Sequence, residues 1–282
     1  MMAPRLPSTH VNLTALFLLA FALRLATAVS LGLDKAPVSD QVEFDTYAWN
    51  LSQGRGYRGM SPDVTDQDHL TAYRSPGVSV VWAGMYRLVG RRYDVLRVFH
   101  CALGAVATVL VYAIGKRCFD RRVGWLAAAL FAIYPVGLLM ATALEAEPLL
   151  TVWFLWFILA CLQFAERPIW GRAALAGLLL GCNLLTHPTK VVMLPLVCGW
   201  ALWQFRRQPR SLAMGLTIPV LGVACLTPWV VRNQGVFGKF IPFSTQGGSA
   251  LLQGNNDVVV TDPKYFGYSI WDTKISPEIA AA

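Results

Sequence analysis

The sequence predicts an all-α fold, a polytopic membrane helix bundle of about seven transmembrane helices whose long outer loop carries juxtamembrane helices. Of its 282 residues, 55% are hydrophobic and only 14% are charged, against about 25% charged residues in soluble domains. The apolar residues form stretches that approach the roughly 20 residues needed to cross a hydrocarbon core. These stretches are continuously apolar and do not alternate, which favours helices over barrel strands.

The predicted elements follow one another along the chain with short basic or polar connections. Two of the predicted spans are short, and if they form one re-entrant hairpin the count falls to five or six. An amphipathic stretch at about 78–90 is predicted to lie on the membrane surface. The predicted spans are 11–33, 95–115, 123–141, 148–164, 173–187, 191–205 and 211–231, of which 173–187 and 191–205 are the short ones.

The net charge of +8 predicts an orientation in the membrane and no nucleic-acid partner. Basic residues concentrate in alternate short loops, and the positive-inside rule places those loops and the N-terminus in the cytoplasm. We expect a multi-pass protein of the inner or plasma membrane, with loop 34–94, the turns near 142–147 and 187–190 and the tail after 231 outside. The basic loop residues are Lys116, Arg117, Arg121, Arg122, Arg167, Arg172, Arg206, Arg207 and Arg210.

Cysteine and histidine spacing predicts no metal and no cofactor. The six cysteines are scattered without a C-x-x-C pair, and the four histidines lie far apart in the sequence. Neither pattern is typical of a zinc or redox site.

The outer loop 34–94 is the most polar part of the chain, and its length of about 60 residues is typical of a functional segment. Within it, Asp40, Glu43, Tyr47 and Asn50 or Leu51 recur at helical spacing and so share one helix face. This helix is predicted to begin near Asp40 at the membrane surface and to end at the glycine-rich turn 54–57. The loop carboxylates include Asp34, Asp40, Glu43, Asp45, Asp63, Asp66 and Asp68.

Further polar groups recur at predicted outer helix ends. Arg74 precedes a Ser-Pro-Gly turn that directs the chain back to the bilayer, and a guanidinium at headgroup depth suits a phosphate. Glu145 and Glu147 border the third and fourth spans, where they either act on a substrate or simply mark the turn. Arg232 and Asn233 follow the last span, as phosphate ligands or as an interfacial anchor beside Trp229. For His187 and Lys190, an ordinary helix-breaking turn is the favoured interpretation.

Carboxylates and arginines on one side of the membrane indicate an enzyme that acts on a phosphorylated lipid at the outer surface. A carboxylate can accept the proton of an acceptor hydroxyl. Cationic groups can neutralise a departing phosphate.

These residues, in this order, resemble the GT-C glycosyltransferases, in particular the bacterial branch of the dolichyl-phosphate-mannose–protein mannosyltransferase-like family. The resemblance covers about residues 12–260. Two positions depart from the family pattern: Phe44 stands where a tyrosine is common, and His187 stands where an arginine is common. The matching motifs are Asp40 with Ala48, Gly54-Arg55-Gly56-Tyr57, Arg74-Ser75-Pro76-Gly77, Glu147, Leu185-Thr186-His187-Pro188, Pro228-Trp229 with Arg232-Asn233, and Phe237-Gly238.

The resemblance implies a single GT-C transmembrane catalytic core over residues 1–282. Its implied activity is transfer of a sugar, with inversion, from a polyprenyl-phosphate donor to a lipid, protein or glycan acceptor in contact with membrane lipids. Asp40 would be the catalytic base, and Glu147, with Glu43 secondary, would orient the acceptor or the donor sugar. The remaining predicted substrate-binding residues are Tyr57, Tyr73, Arg74, Glu145, His187, Arg232 and Asn233. Family members usually continue further, so we expect a missing C-terminal region to start after about residue 253.

Three alternatives stay open from the sequence. A lipid-linked sugar transporter or flippase would need a charge near mid-membrane, for which Arg24 is the candidate. A non-catalytic membrane subunit agrees with the short chain. A lipid-to-lipid polymerase or ligase of surface polysaccharide would use closely related chemistry.

Overall fold

The computed structural model describes residues 13–60 and 68–264, so the predicted loop carboxylates Asp63 and Asp66 lie outside the described residues. Within them the fold is all-α, with no strand and one isolated bridge between Arg58 and Leu70. The helices are α1 Leu13–Leu31, α2 Asp40–Ser52, α3 Gly77–Val89, α4 Tyr93–Cys118, α5 Arg121–Ile133, α6 Pro135–Met140, α7 Glu147–Glu166, α8 Trp170–Thr186, a 3₁₀ helix Pro188–Val192, α9 Met193–Phe205, α10 Pro209–Ala224, α11 Thr227–Phe237, α12 Gln246–Gly254 and α13 Asp257–Thr261.

Four stretches of the described chain are long and apolar enough to cross a membrane: α1, α4, α7 and the pair α10–α11. The other predicted spans are also helical, but α5 and α9 have 13 residues each and α8 has 17. The polytopic bundle is therefore confirmed, and the count of seven crossings stays a prediction.

The predicted single span 123–141 is wrong in one respect, because it is two helices that meet at Pro135. Proline has no N–H, so the carbonyl of Phe131, four residues earlier, lacks its helical donor. Arg24 of α1 supplies the replacement: Nη2 donates to that carbonyl at 3.4 Å, and Nη1 donates to the Ala20 carbonyl at 3.0 Å. Arg24 is only 1% exposed. Gly104 of α4 makes the space for it, since a Cβ there would stand 2.3 Å from Nε.

The bundle is organised around two central helices. Helix α4 packs against α1, α5 and α7, while α8 packs against α7 and α10, and α9 packs against α10. The largest buried apolar cluster joins α7, α8, α9 and α10 around Phe164, Leu180 and Ile218. Many large apolar side chains point outward, including Leu19, Leu126 and Leu196, as lipid-facing helices require.

The two juxtamembrane helices α2 and α3 pack on each other. They confirm a helix that begins at Asp40 and ends before the turn 54–57, and a helix at about 78–90, whose position on the membrane surface stays a prediction. A buried carboxylate fastens them to the start of α4. Asp45 accepts hydrogen bonds from Tyr86 at 2.6 Å, from Arg91 Nη2 at 2.5 Å and from Tyr93 at 3.3 Å. Since three donors satisfy it, Asp45 acts as a structural staple within the outer loop.

Candidate functional site

The first turn of α2 brings two carboxylates to one arginine of the outer loop. Arg74 Nη2 lies 2.9 Å from Asp40 Oδ2, and Arg74 Nε donates to Glu43 Oε2 at 2.5 Å. Asp40 and Glu43 are one turn apart on α2, which is why the same guanidinium reaches both. The side chain of Arg74 is 9% exposed and that of Asp40 is 35% exposed. The acidic member most open to a substrate is therefore Asp40.

Aromatic rings hold the Arg74 guanidinium in place. Its central carbon lies 5.4 Å from the ring centre of Phe44 and 5.3 Å from that of Tyr73. Both rings are buried, so the stacking is shielded from water and a cation gains most there. At position 44 a phenylalanine can make this contact without a hydroxyl. The predicted substrate-binding residue Tyr73 thus lies against Arg74.

The α6–α7 turn adds Glu145, whose environment sets its protonation near neutral pH. The pKa of Glu145 is raised to about 7, chiefly by burial; the carboxylates of Glu147 and Asp40 contribute to the rise, and the Gln41 amide and Arg74 oppose it. Burial also raises the pKa of Glu43 above its ordinary value of 4.5, against the pull of Arg74.

Helix α4 anchors the turn that carries Glu145. Arg97 Nε donates to the Thr142 carbonyl at 2.9 Å, and its Nη1 donates to the Leu33 carbonyl at 2.7 Å. His100 Nδ1 lies 3.0 Å from the Ala143 carbonyl oxygen. The turn is therefore fixed to a membrane helix on one side and faces α2 on the other.

The outer end of α8 approaches the loop segment of Arg74 through a glycine. A Cβ at Gly77 would stand 2.8 Å from the Leu185 carbonyl oxygen and 2.7 Å from Thr186 Oγ1, so only glycine allows this approach. His187 follows directly, and its Nδ1 lies 2.9 Å from Thr189 Oγ1. Burial lowers the pKa of His187, Glu147 acts to raise it, and Lys190 and Arg74 lower it further.

Arg232, a predicted phosphate ligand, donates hydrogen bonds to backbone carbonyls of the outer loop. Its Nη1 donates to the Thr71 carbonyl at 2.7 Å and to Asn233 Oδ1 at 2.8 Å, while its Nη2 donates to the Tyr57 carbonyl at 3.0 Å. Asn233 is fully buried and donates to the Ile241 carbonyl at 2.9 Å. These contacts hold α11 against the outer loop, and phosphate binding by Arg232 and substrate binding by Asn233 stay predictions.

Tyr57 is also part of this clamp. It is 4% exposed. The centre of its ring lies 4.8 Å from that of Tyr47 and 5.0 Å from that of Trp229. Its hydroxyl donates to the carbonyls of Arg74 and Ser75. Tyr57, a predicted substrate-binding residue, thus contacts and orients the Arg74 backbone, and its contact with substrate stays a prediction.

The structure therefore divides the predicted residues into two groups. The first group meets in one place and consists of Asp40, Glu43, Arg74, Glu145 and Tyr73, with Glu147 and His187 at its border. The second group supports that place from the side and consists of Tyr57, Arg232 and Asn233. The sequence reasoning did not identify Gln41, Arg97 and His100 as part of this arrangement. Helical spacing from Asp40 could not have found Arg97 and His100, because they act from α4. In the part of the chain that the structure describes, no three His, Cys, Asp or Glu residues are grouped to hold a metal ion.

Comparison with known proteins agrees with the architecture. The sequence model of the family described as dolichyl-phosphate-mannose-protein mannosyltransferase matches residues 73–231, more than half of the chain. The match includes Arg74, the α6–α7 turn and His187, and it ends just before Arg232. None of the curated proteins searched is significantly similar to the chain. With its apolar helices and the family match together, the chain belongs to the dolichyl-phosphate-mannose-protein mannosyltransferase family and is a membrane glycosyltransferase of the GT-C type.

Proposed function

We propose that the protein transfers a sugar from a polyprenyl-phosphate donor to an acceptor hydroxyl at the outer face of the membrane, with inversion at the anomeric carbon. The observation that carries the proposal is the meeting of Asp40, Glu43 and Glu145 with Arg74 where the juxtamembrane helices rest on the bundle. The outer location follows from the basic loops, which the positive-inside rule assigns to the cytoplasm. The acceptor class is a lipid, a protein or a glycan.

In the proposed reaction, Asp40 accepts the proton of the acceptor hydroxyl as its oxygen attacks the anomeric carbon. The bond from that carbon to the phosphate oxygen breaks, and the polyprenyl phosphate leaves with the electron pair. Asp40 suits this role because it is the more exposed of the two partners of Arg74, so a substrate can reach it. The ion pair with Arg74, whose Nη2 lies 2.9 Å from Oδ2, orients the carboxylate.

Glu43 and Glu145 have different proposed parts. Glu43 is half-buried and accepts a hydrogen bond from Arg74 Nε, so it holds the guanidinium that positions Asp40. Glu145 lies beside Asp40 and Arg74 in the α6–α7 turn and would accept hydrogen bonds from sugar hydroxyls. Glu147, at the start of α7, interacts electrostatically with Glu145 and His187 and would do so from the border of the site. Tyr57, Arg232 and Asn233 position the loop segment 71–75 from behind.

Arg24 no longer supports a transporter. Its Nη1 and Nη2 donate to the carbonyls of Ala20 and Phe131, the second of which is unpaired because of Pro135, while its buried Nε has no partner among the described residues. A membrane arginine with this structural use requires no substrate to explain it.

A transfer assay with Asp40→Asn tests the proposal. Membranes that contain the protein are given radiolabelled polyprenyl-phosphate sugars, and label in acceptors is counted. We expect Asp40→Asn to reduce transfer by about 10²–10⁴-fold, as loss of a general base does. The matched control is Asp34→Asn, which alters an exposed carboxylate of the same loop and should leave the rate unchanged. Full activity of a folded Asp40→Asn protein would refute the base assignment, and no transfer by the folded wild type would favour a non-catalytic subunit.

A further inference from the structure

A polar cavity of about 600 Å³ lies in the loop 34–94, beside the C-terminal end of α2. Its volume is within the roughly 300–1,000 Å³ of ligand-binding pockets. Arg74 and its two carboxylates are not part of its described lining. That lining includes three arginines and reads Trp49, Asn50, Arg55, Arg58, Asp68 and Arg91.

Hydrogen bonds among the lining residues give the cavity a defined wall. The Arg55 N–H donates to the Asn50 carbonyl at 3.0 Å, which closes the turn after α2. Asn50 Nδ2 donates to the Arg58 carbonyl at 3.1 Å, and Arg58 Nε donates to the Arg55 carbonyl at 2.9 Å. Arg58 Nη1 donates to the Asp68 carbonyl at 2.9 Å. Because Asn50 is only 6% exposed, the end of α2 holds both arginines at the cavity.

The described carboxylates neutralise the cavity only in part. Arg91 Nη2 lies 2.5 Å from Asp45 Oδ2, and Arg58 Nη1 lies 3.5 Å from Asp68 Oδ1. Arg55 forms no ion pair within the described part of the chain. Three guanidinium groups against two described carboxylates leave a net charge of +1. Since outer loops are usually poor in basic residues, this charge favours an anionic ligand.

The other lining side chains narrow the chemistry of that ligand. Arg91 Cζ lies 5.6 Å from the ring centre of Trp49, so an indole and a guanidinium share one wall. An indole offers an apolar face to the C–H groups of a sugar ring. Amide and carboxylate groups such as those of Asn50 and Asp68 bond hydroxyls, and the arginine fork binds a phosphate or a carboxylate. The combination fits an anionic saccharide.

We propose that this cavity binds an anionic sugar of a glycan-bearing acceptor, with Arg55 on its phosphate or carboxylate. The acceptor role rests on the proposed function. Trp49 lies nine residues after Asp40 on α2, about 14 Å along the helix axis. An acceptor of a few sugar units spans that length, with its anion in the cavity and a hydroxyl at Asp40. Arg55 occupies the variable position of the Gly-x-Gly-aromatic turn, so this contact is a property of this chain.

Binding of a small sugar phosphate tests the inference without catalysis. The full chain is placed in nanodiscs of phosphatidylcholine, and ligand-observed NMR measures the dissociation constants of glucose 6-phosphate and glucose. We expect glucose 6-phosphate to bind at least about tenfold more tightly than glucose, because a charge-assisted contact is added. Arg55→Gln should remove most of this preference, and Arg55→Lys should retain part of it. Arg55 is exposed, so both variants should fold.

The matched control is Arg87→Gln, which removes another exposed charge of the same loop outside the cavity lining and should bind like the wild type. Equal affinity of the wild type for glucose and glucose 6-phosphate would overturn the anion site. Unchanged affinity of Arg55→Gln would overturn the role of Arg55. Equal competition by a soluble short-chain phosphatidylglycerol would show a lipid-headgroup site, and equal competition by a tri-aspartate peptide would show a site for acidic peptides. Either result would overturn the choice of a saccharide.

Inhibition of transfer separates this inference from the proposed function. Glucose 6-phosphate should inhibit sugar transfer by the wild type and inhibit the Arg55→Gln protein about tenfold less. Binding to the wild type without inhibition would overturn the acceptor role of the cavity. If the folded wild type binds glucose 6-phosphate but transfers no sugar, the proposed function fails while the anion site stands.

Discussion

Glu145 shows how a single side chain acquires chemistry from its surroundings. In the sequence it is one of two acids in a turn, and nothing in the spacing separates its behaviour from that of Glu147. The fold places it, half-buried, beside Gln41, Asp40 and Arg74, and burial raises its pKa to about 7. At neutral pH it is therefore divided between a hydrogen-bond donor and a carboxylate.

This shift predicts a pH-dependent stability. The folded state holds a proton on Glu145 up to about pH 7, whereas an ordinary glutamic acid loses it near 4.5. Between these values the folded state binds more protons than the unfolded state, so stability must fall as pH rises through this window. We expect Glu145→Gln to lessen the fall, measured as melting temperature in detergent from pH 4.5 to 7.5. Identical pH dependence in the two proteins would contradict the shift.

At the scale of secondary-structure elements, the juxtamembrane helices owe their position to the staple at Asp45. Its side chain is 2% exposed, and Tyr86, Arg91 and Tyr93 converge on it from α3, the following turn and α4. The acids of the site are on the same helix α2, so a rotation of α2 would move Asp40 and Glu43 together.

We predict that Asp45→Asn lowers the free energy of unfolding by about 2 kcal/mol, because Arg91 and two tyrosine hydroxyls lose a charged acceptor. The partly exposed Arg91 keeps the cost below that of a fully buried pair. Asp94→Asn is the matched control, since its pair with Arg92 on the same turn is exposed and should matter little. Equal melting temperatures of the two variants in detergent would show that Asp45 is not a staple.

At the scale of the whole molecule, the sequence predicted the helical class, the two juxtamembrane helices and the acidic face of α2. Local periodicity and composition determine these features. The sequence did not separate Arg74 from Arg232, because both are arginines at a predicted outer helix end and only tertiary contacts decide their partners. The break at Pro135 was missed for a related reason, because the Arg24 side chain that donates to the unpaired Phe131 carbonyl belongs to another helix.

That repair predicts strong coupling across the bundle. Arg24→Leu leaves the Phe131 carbonyl without a donor in an apolar region and should cost about 1–3 kcal/mol of unfolding free energy. In a Pro135→Ala background the helix has its own N–H at position 135, so the same substitution should cost much less. A double-mutant cycle measures the difference. Additive effects would show that Arg24 has another use, and the transporter alternative would regain its support.

The same contact restricts the order in which the sequence can change. A lineage that replaces Arg24 first passes through a destabilised protein, whereas one that replaces Pro135 first does not. Gly104 can be replaced by a larger residue only after Arg24 has been replaced, because the Arg24 side chain fills the space that a Cβ at position 104 needs. These three residues on three helices can thus be substituted without loss of stability in one order only, in which Pro135 changes first, Arg24 second and Gly104 last.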